Sequence, residues 1–84
     1  MSAYRVQLTD AVKAEVDGMS AGTRRTFESG LGDLARDPYG CDSRPYPGGG
    51  SDDHRMTHIR GVAIITYQIS RGLLLITVVQ AVAR

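Results

Sequence analysis

The first apolar pattern along the chain has period two. Tyr4, Val6 and Leu8 alternate with Arg5 and Gln7, which predicts a strand buried on one face. Thr9 and Asp10 follow with side-chain oxygens suited to an N-cap, and the period then changes. Val12, Val16 and Met19 recur at i, i+4 and i+7, so residues 10–19 are expected to form a short amphipathic helix. Gly18 to Gly22 interrupts it. Phe27, Leu31, Leu34 and Ala35 make the apolar stripe of a second helix over 21–36, with Arg24 and Glu28 as an exposed i, i+4 pair. Gly30 and Gly32 each cost that helix roughly 1 kcal/mol relative to alanine, and Asp37-Pro38 ends it.

Residues 37–53, DPYGCDSRPYPGGGSDD, hold all three prolines and four of the ten glycines. A connection of that length without periodicity is functional or mobile, and it is expected to be a flexible loop. Its PGGGS centre lacks the Lys-Ser/Thr and following helix of a phosphate-binding loop. From His54 the pattern is again that of strands: His54–Arg60, Val62–Ile69 and Leu73–Val82. Arg60-Gly61 and Ser70-Arg71-Gly72 provide turns short enough for hairpins. The last strand, LLLITVVQAV, is almost wholly apolar, as a central strand should be. The order β-α-α-β-β-β predicts one α+β domain over 1–84, with an antiparallel-rich sheet that includes the first strand and a helical hairpin packed on one face.

Alternation also sorts the last strands into faces. Thr66 and Gln68 fall together, as do Gln80 and Arg84, and Arg55 and Thr57 are expected to join them on an open face. Ile65, Tyr67 and Ile69, with Leu75, Val79 and Ala81, are expected on the helix-covered side.

Charge gives that open face a meaning. The 84 residues carry a formal net charge of +1, which hides an asymmetry. Residues 1–54 hold six Lys/Arg and nine Asp/Glu, whereas residues 55–84 hold Arg55, Arg60, Arg71 and Arg84 and no acid. Any antiparallel sheet with one wet face carries polar residues there; the absence of carboxylates is the informative part. A face on which every ionised group is positive suits a polyanion, because phosphate contacts supply most non-specific affinity for nucleic acid. Nine of the ten basic residues are arginine, which fits bidentate phosphate recognition and equally a coding bias.

Other observations narrow the class. An 84-residue chain accommodates one small domain that buries roughly 60–68% of its unfolded surface. A lone cysteine, Cys41, cannot close an intramolecular disulfide. The start, Met1 to Arg5, lacks an apolar core for a secretory signal. The longest apolar runs, such as Leu73 to Ile76, are far short of the roughly 20 residues of a membrane helix. A cytoplasmic protein without membrane contact is expected. His54 and His58, four apart, share one face of a strand. Neither Cys41 nor Asp52 and Asp53 stands at a ligand spacing, so no metal is expected. His58 also shares its face with Met56, which makes it a satisfied core histidine unless a bulge near Gly61 turns it outward. An imidazole titrates in the range that suits proton transfer, so both histidines remain candidates.

The β-α-α-β-β-β order, the helix end Leu34-Ala35-Arg36-Asp37-Pro38-Tyr39 and the hairpin HRMTHIRGVAIITYQI followed by LLLITVVQAVAR resemble the RelE/ParE superfamily of toxins. The likeness spans the whole chain in architecture; in sequence it rests on the Asp-Pro helix end and on residues 54–84. It implies the toxin of a type II toxin–antitoxin system, masked by a cognate antitoxin. For RelE-like members it implies ribosome-dependent cleavage of mRNA, in which a ribose 2′-OH attacks the adjacent phosphate. That reaction needs a base, cations for the pentacoordinate charge and an acid for the leaving oxygen, and no cofactor.

By this resemblance Arg55 takes the family's basic position at the head of the second strand, and Arg84 the one at the end of the last. Thr57 and Ile64 stand where typical nucleases carry Lys and Arg, and the sequence ends short of the family's C-terminal Tyr or His segment. The expected catalytic residues are Arg55 and Arg84, with His54 and His58 as substitutes for the missing acid–base groups. The expected RNA contacts are Arg55, Thr57, Arg60, Gln80 and Arg84. Three functions stay open: an RNA-directed toxin with an atypical site, a non-catalytic ParE-like toxin that poisons DNA gyrase, and an inactive relative that binds only its antitoxin.

Overall fold

A computed structural model describes residues 4–40, 43–48 and 53–83. Its elements run β1 (Arg5–Leu8), α1 (Asp10–Asp17), α2 (Ala21–Arg36), β2 (Arg44–Pro45), β3 (His54–Ile59), β4 (Ala63–Ser70), a 3-10 turn (Arg71–Leu73) and β5 (Leu75–Ala83). The strands form one sheet in the order β1-β5-β4-β3-β2. β1 lies parallel to β5, and the other neighbours are antiparallel. The expected helices, the three late strands and the entry of the first strand into the same sheet are all present. The segment expected to be a loop without structure contains β2, which pairs Arg44 with Met56 and Pro45 with Arg55. A two-residue strand has no period to detect, and a proline is tolerated there because β2 is an edge.

Each helix starts on a side-chain cap. Thr9 Oγ1 accepts from the Val12 amide at 3.4 Å, and Ser20 Oγ from the Thr23 amide at 3.3 Å. Arg24 was expected to pair with Glu28, but it reaches back to α1 instead. Its guanidinium donates to the Val16, Asp17 and Met19 carbonyls at 3.3, 3.2 and 3.4 Å, adding donors where the carbonyls at a helix end run short of intrahelical partners. One cation thereby joins the two helices.

Both helices lie on the same face of the sheet, where Val12, Phe27, Ile65, Tyr67, Ile76 and Val78 are fully buried. Gly30 explains how closely α2 approaches β3: a Cβ there would stand 2.7 Å from Ile59 Cγ2.

Two irregularities decide which side chains face the helices. Between β3 and β4 the last pair is Ile59 with Ala63, leaving the three-residue turn Arg60-Gly61-Val62. Val62 N–H donates to the Ile59 carbonyl at 2.9 Å, and Gly61 supplies the positive φ of +66° that glycine adopts without strain. A two-residue turn would set odd residues opposite even ones; three residues set odd opposite odd. In β5 the register shifts between Thr66 and Tyr67, which pair with Gln80 and Val78. Val79 is therefore an extra residue in the manner of a bulge. It is 38% exposed. The helix-covered residues of β5 are thus Ile76 and Val78, joined after the bulge by Ala81. Leu75 and Val79, expected on that side, are not among them.

Candidate nucleic-acid interface

The uncovered face of the sheet is built from rows of cross-strand neighbours. Tyr46 N–H donates to the His54 carbonyl at 2.8 Å, continuing the β2–β3 ladder one residue past β2. His54 stands opposite Gln68, Gln68 opposite Thr77 and Thr77 opposite Gln7. The next row is Arg44, Met56, Thr66 and Gln80, and beyond it His58, Ile64 and Val82. At the other end stand Ser70, Leu75 and Arg5. Among the described residues the charged or titratable side chains on this face are Arg5, Arg44, Tyr46, His54 and His58, and none of them is a carboxylate.

Several sequence expectations change against these rows. Gln80 is exposed on the open face as expected. Arg55 and Thr57 are not on it: they stand opposite Tyr67 and Ile65 on the helix-covered side, because the three-residue turn reverses the parity assumed for a two-residue one. His54 and His58 do share a face. His58, considered as a core histidine, is exposed, because Met56 and its neighbours on that face have no helix over them. Arg60 is exposed in the β3–β4 turn. Arg84, Cys41, Asp52 and the glycine-rich stretch 49–52 lie outside the described residues.

Arg55 is half-buried within a network that ties the segment after α2 to the sheet. Its Nε donates to Ser43 Oγ at 2.7 Å, and Nη2 to the Ser43 carbonyl at 3.3 Å. The Tyr67 hydroxyl donates to the Pro38 carbonyl at 2.7 Å and lies 2.5 Å from Ser43 Oγ. With its single proton so used, Tyr67 accepts from Ser43. Burial raises the Tyr67 phenol above its ordinary pKa, against the lowering pull of Ser43 and Arg55.

Beside it is a second cluster. The Tyr39 hydroxyl donates to Asp53 Oδ1 at 2.7 Å, and Arg71 Nη2 to the same oxygen at 3.0 Å. The Arg55 and Arg71 guanidinium carbons stand 5.2 and 5.5 Å from the Tyr39 ring centroid, within reach of cation–π attraction. Hydrogen bonds from Tyr39 and then Arg71 hold the Asp53 carboxyl below the usual carboxylate range. Partial burial, followed by the bond to Asp53, raises Tyr39.

Between α2 and β3 runs a groove of about 720 Å³, lined in part by Arg25, Asp33, Asp37, Thr57 and Arg60. It mixes both signs of charge, unlike the open face. Among the described residues no group of three or more His, Cys, Asp or Glu side chains gathers as metal ligands, and no helix is long and apolar enough to cross a membrane.

No protein-family model matches the chain, and no curated relative matches it in sequence. Solved structures do. Over 96% of its length the chain superposes on 84% of the isolated RelE toxin of Escherichia coli, with a TM-score of 0.78 and 15% identity. The fold is that of RelE.

The same RelE-like fold aligns with chains of two toxin–antitoxin complexes. For the RelBE2 complex of Mycobacterium tuberculosis the TM-score is 0.80 at 19% identity, over 100% of this chain and 94% of the other. For the archaeal RelE–RelB complex of Pyrococcus horikoshii it is 0.81 at 17% identity, over 99% and 97%. Within this RelE-like fold the sequence reading missed Arg44 and Tyr46, whose pairing depends on a strand too short to read. It also missed the Tyr39–Asp53–Arg71 cluster, whose members lie far apart in the chain. Arg5 was legible, since it alternates with Val6 at the start of the chain.

Proposed function

We propose that this chain is the toxin of a toxin–antitoxin pair and that it acts on RNA of the translation machinery. The observation that carries the reading is the match along nearly the whole chain to RelE, alone and in complexes with RelB. A small antitoxin protein is the corresponding partner. Among the described residues the open face carries Arg5, Arg44 and two imidazoles and no carboxylate, which supports RNA over a protein target, because cations free of competing carboxylates attract phosphates. His58, exposed there, offers an imidazole as a general acid–base group. Ribosome-dependent cleavage of mRNA, with an active site on the open face and without the Arg55 that the resemblance implied, is the activity proposed.

The test is induced expression followed by mapping of transcript ends. Growth arrest with new ends inside translated codons supports the proposal. DNA breaks with intact mRNA would replace it with a gyrase poison, and normal growth at full protein level would leave only antitoxin binding.

A further inference from the structure

Tyr46 and His54 are neighbours across the β2–β3 edge, and their rings stack with centroids 4.8 Å apart and planes 18° apart. Both residues are half-buried, so each keeps part of its surface in solvent. The backbone bond from Tyr46 N–H to the His54 carbonyl holds the pair in register. Along the same row, Gln68, Thr77 and Gln7 follow, each able to both donate and accept without carrying charge. In the adjacent row the exposed Arg44 stands opposite Met56, two residues from His54.

We infer that Tyr46 and His54 form a stacking platform for an unpaired base of single-stranded RNA, with Gln68 at the base edge and Arg44 at a phosphate. The inference rests on the RNA reading above and adds a subsite to it. Aromatic rings at a sheet surface bind single-stranded bases because every base presents a π-face. A near-parallel pair already has the geometry that a third ring extends. Amide side chains beside the platform offer hydrogen bonds to a base edge, and a guanidinium at the margin suits a phosphate oxygen. On this account His54 contributes its ring plane. It does not transfer a proton.

Binding of a fluorescently labelled, mixed-sequence single-stranded RNA octamer to the purified 84-residue chain tests this by anisotropy. Tyr46→Ala and His54→Ala should each weaken binding roughly 5- to 100-fold. Tyr46→Phe and His54→Phe, which keep a ring and remove the polar atoms, should stay within about two-fold of the unmodified chain by the same stacking argument. Arg44→Ala should reduce the slope of log affinity against log salt by about 0.7. Unchanged binding by both alanine variants overturns the platform while leaving RNA binding intact. Equal weakening by His54→Phe and His54→Ala overturns it as well, since the imidazole nitrogens and not the plane would then matter. No binding by the unmodified chain sinks the RNA reading itself.

Discussion

Arg55 stands directly opposite Tyr67 across the β3–β4 ladder, so a guanidinium and a fully buried phenol share the helix-covered side of the sheet. Ser43 joins them, receiving from Arg55 and lying against the Tyr67 hydroxyl. The pair secures the segment after α2, through Tyr67 to the Pro38 carbonyl. Tyr67→Phe removes that link, takes the donor from the Pro38 carbonyl and the acceptor from the Ser43 hydroxyl, and costs about 1–3 kcal/mol. Each kcal/mol corresponds to roughly 4–8 °C in Tm for a domain of this size, measurable by thermal unfolding. Arg55→Ala should lower Tm as well. If it relieves growth arrest with Tm unchanged, Arg55 acts outside this network.

Gly30 and Gly32 are both mid-helix, yet alanine should affect them in opposite directions. A Cβ at Gly32 meets nothing within 4 Å, so Gly32→Ala gains about 0.5–1 kcal/mol of helix propensity. A Cβ at Gly30 would collide with Ile59 at 2.7 Å. Overpacking of that kind costs about 1–3 kcal/mol and outweighs the propensity gain. Denaturant midpoints of the two variants should fall on either side of the unmodified chain.

Leu74 closes the β4–β5 turn with a φ of +50°, a left-handed conformation that costs an L-residue about 1–2 kcal/mol. It is 41% exposed, so its side chain contributes limited burial. Leu74→Gly removes that cost but adds roughly 0.5–1 kcal/mol of unfolded-state entropy, so stability should rise by no more than about 1 kcal/mol. A lower Tm would mean that the side-chain contacts of Leu74 outweigh the relief of its backbone.

The pH dependence should have two limbs. Asp53 has its folded pKa lowered by Tyr39 and Arg71, so its contribution is present above the unfolded value near 3.9 and is lost as pH falls through the folded value. Tyr67 has its folded pKa raised by burial, so its contribution is present below about 10 and is lost as pH rises further. Asp53→Asn should flatten the acid limb of Tm against pH, and Tyr67→Phe the alkaline limb. Parallel curves for variant and unmodified chain would contradict the assignment.

Both helices, the cap at Thr9, the strands at 54–83 and the absence of acids from 55–84 are legible in the residues alone. These features are local: the cap is adjacent to the turn it bonds, the periods repeat within one element, and charge is additive along the chain. Which residues share a face follows from strand pairing and turn length, and these are set in three dimensions. Side chains alternate with period two, so one residue more in the turn at Arg60-Gly61-Val62 moves Arg55 and Thr57 to the opposite side. The extra residue Val79 does the same within β5, putting Ile76 and Val78 toward the helices. Arg44 and Tyr46 reach the open face only because β2 docks on β3. Their side chains, in place of Arg55, join the histidines there, and that substitution follows from strand pairing that no periodicity along the chain encodes.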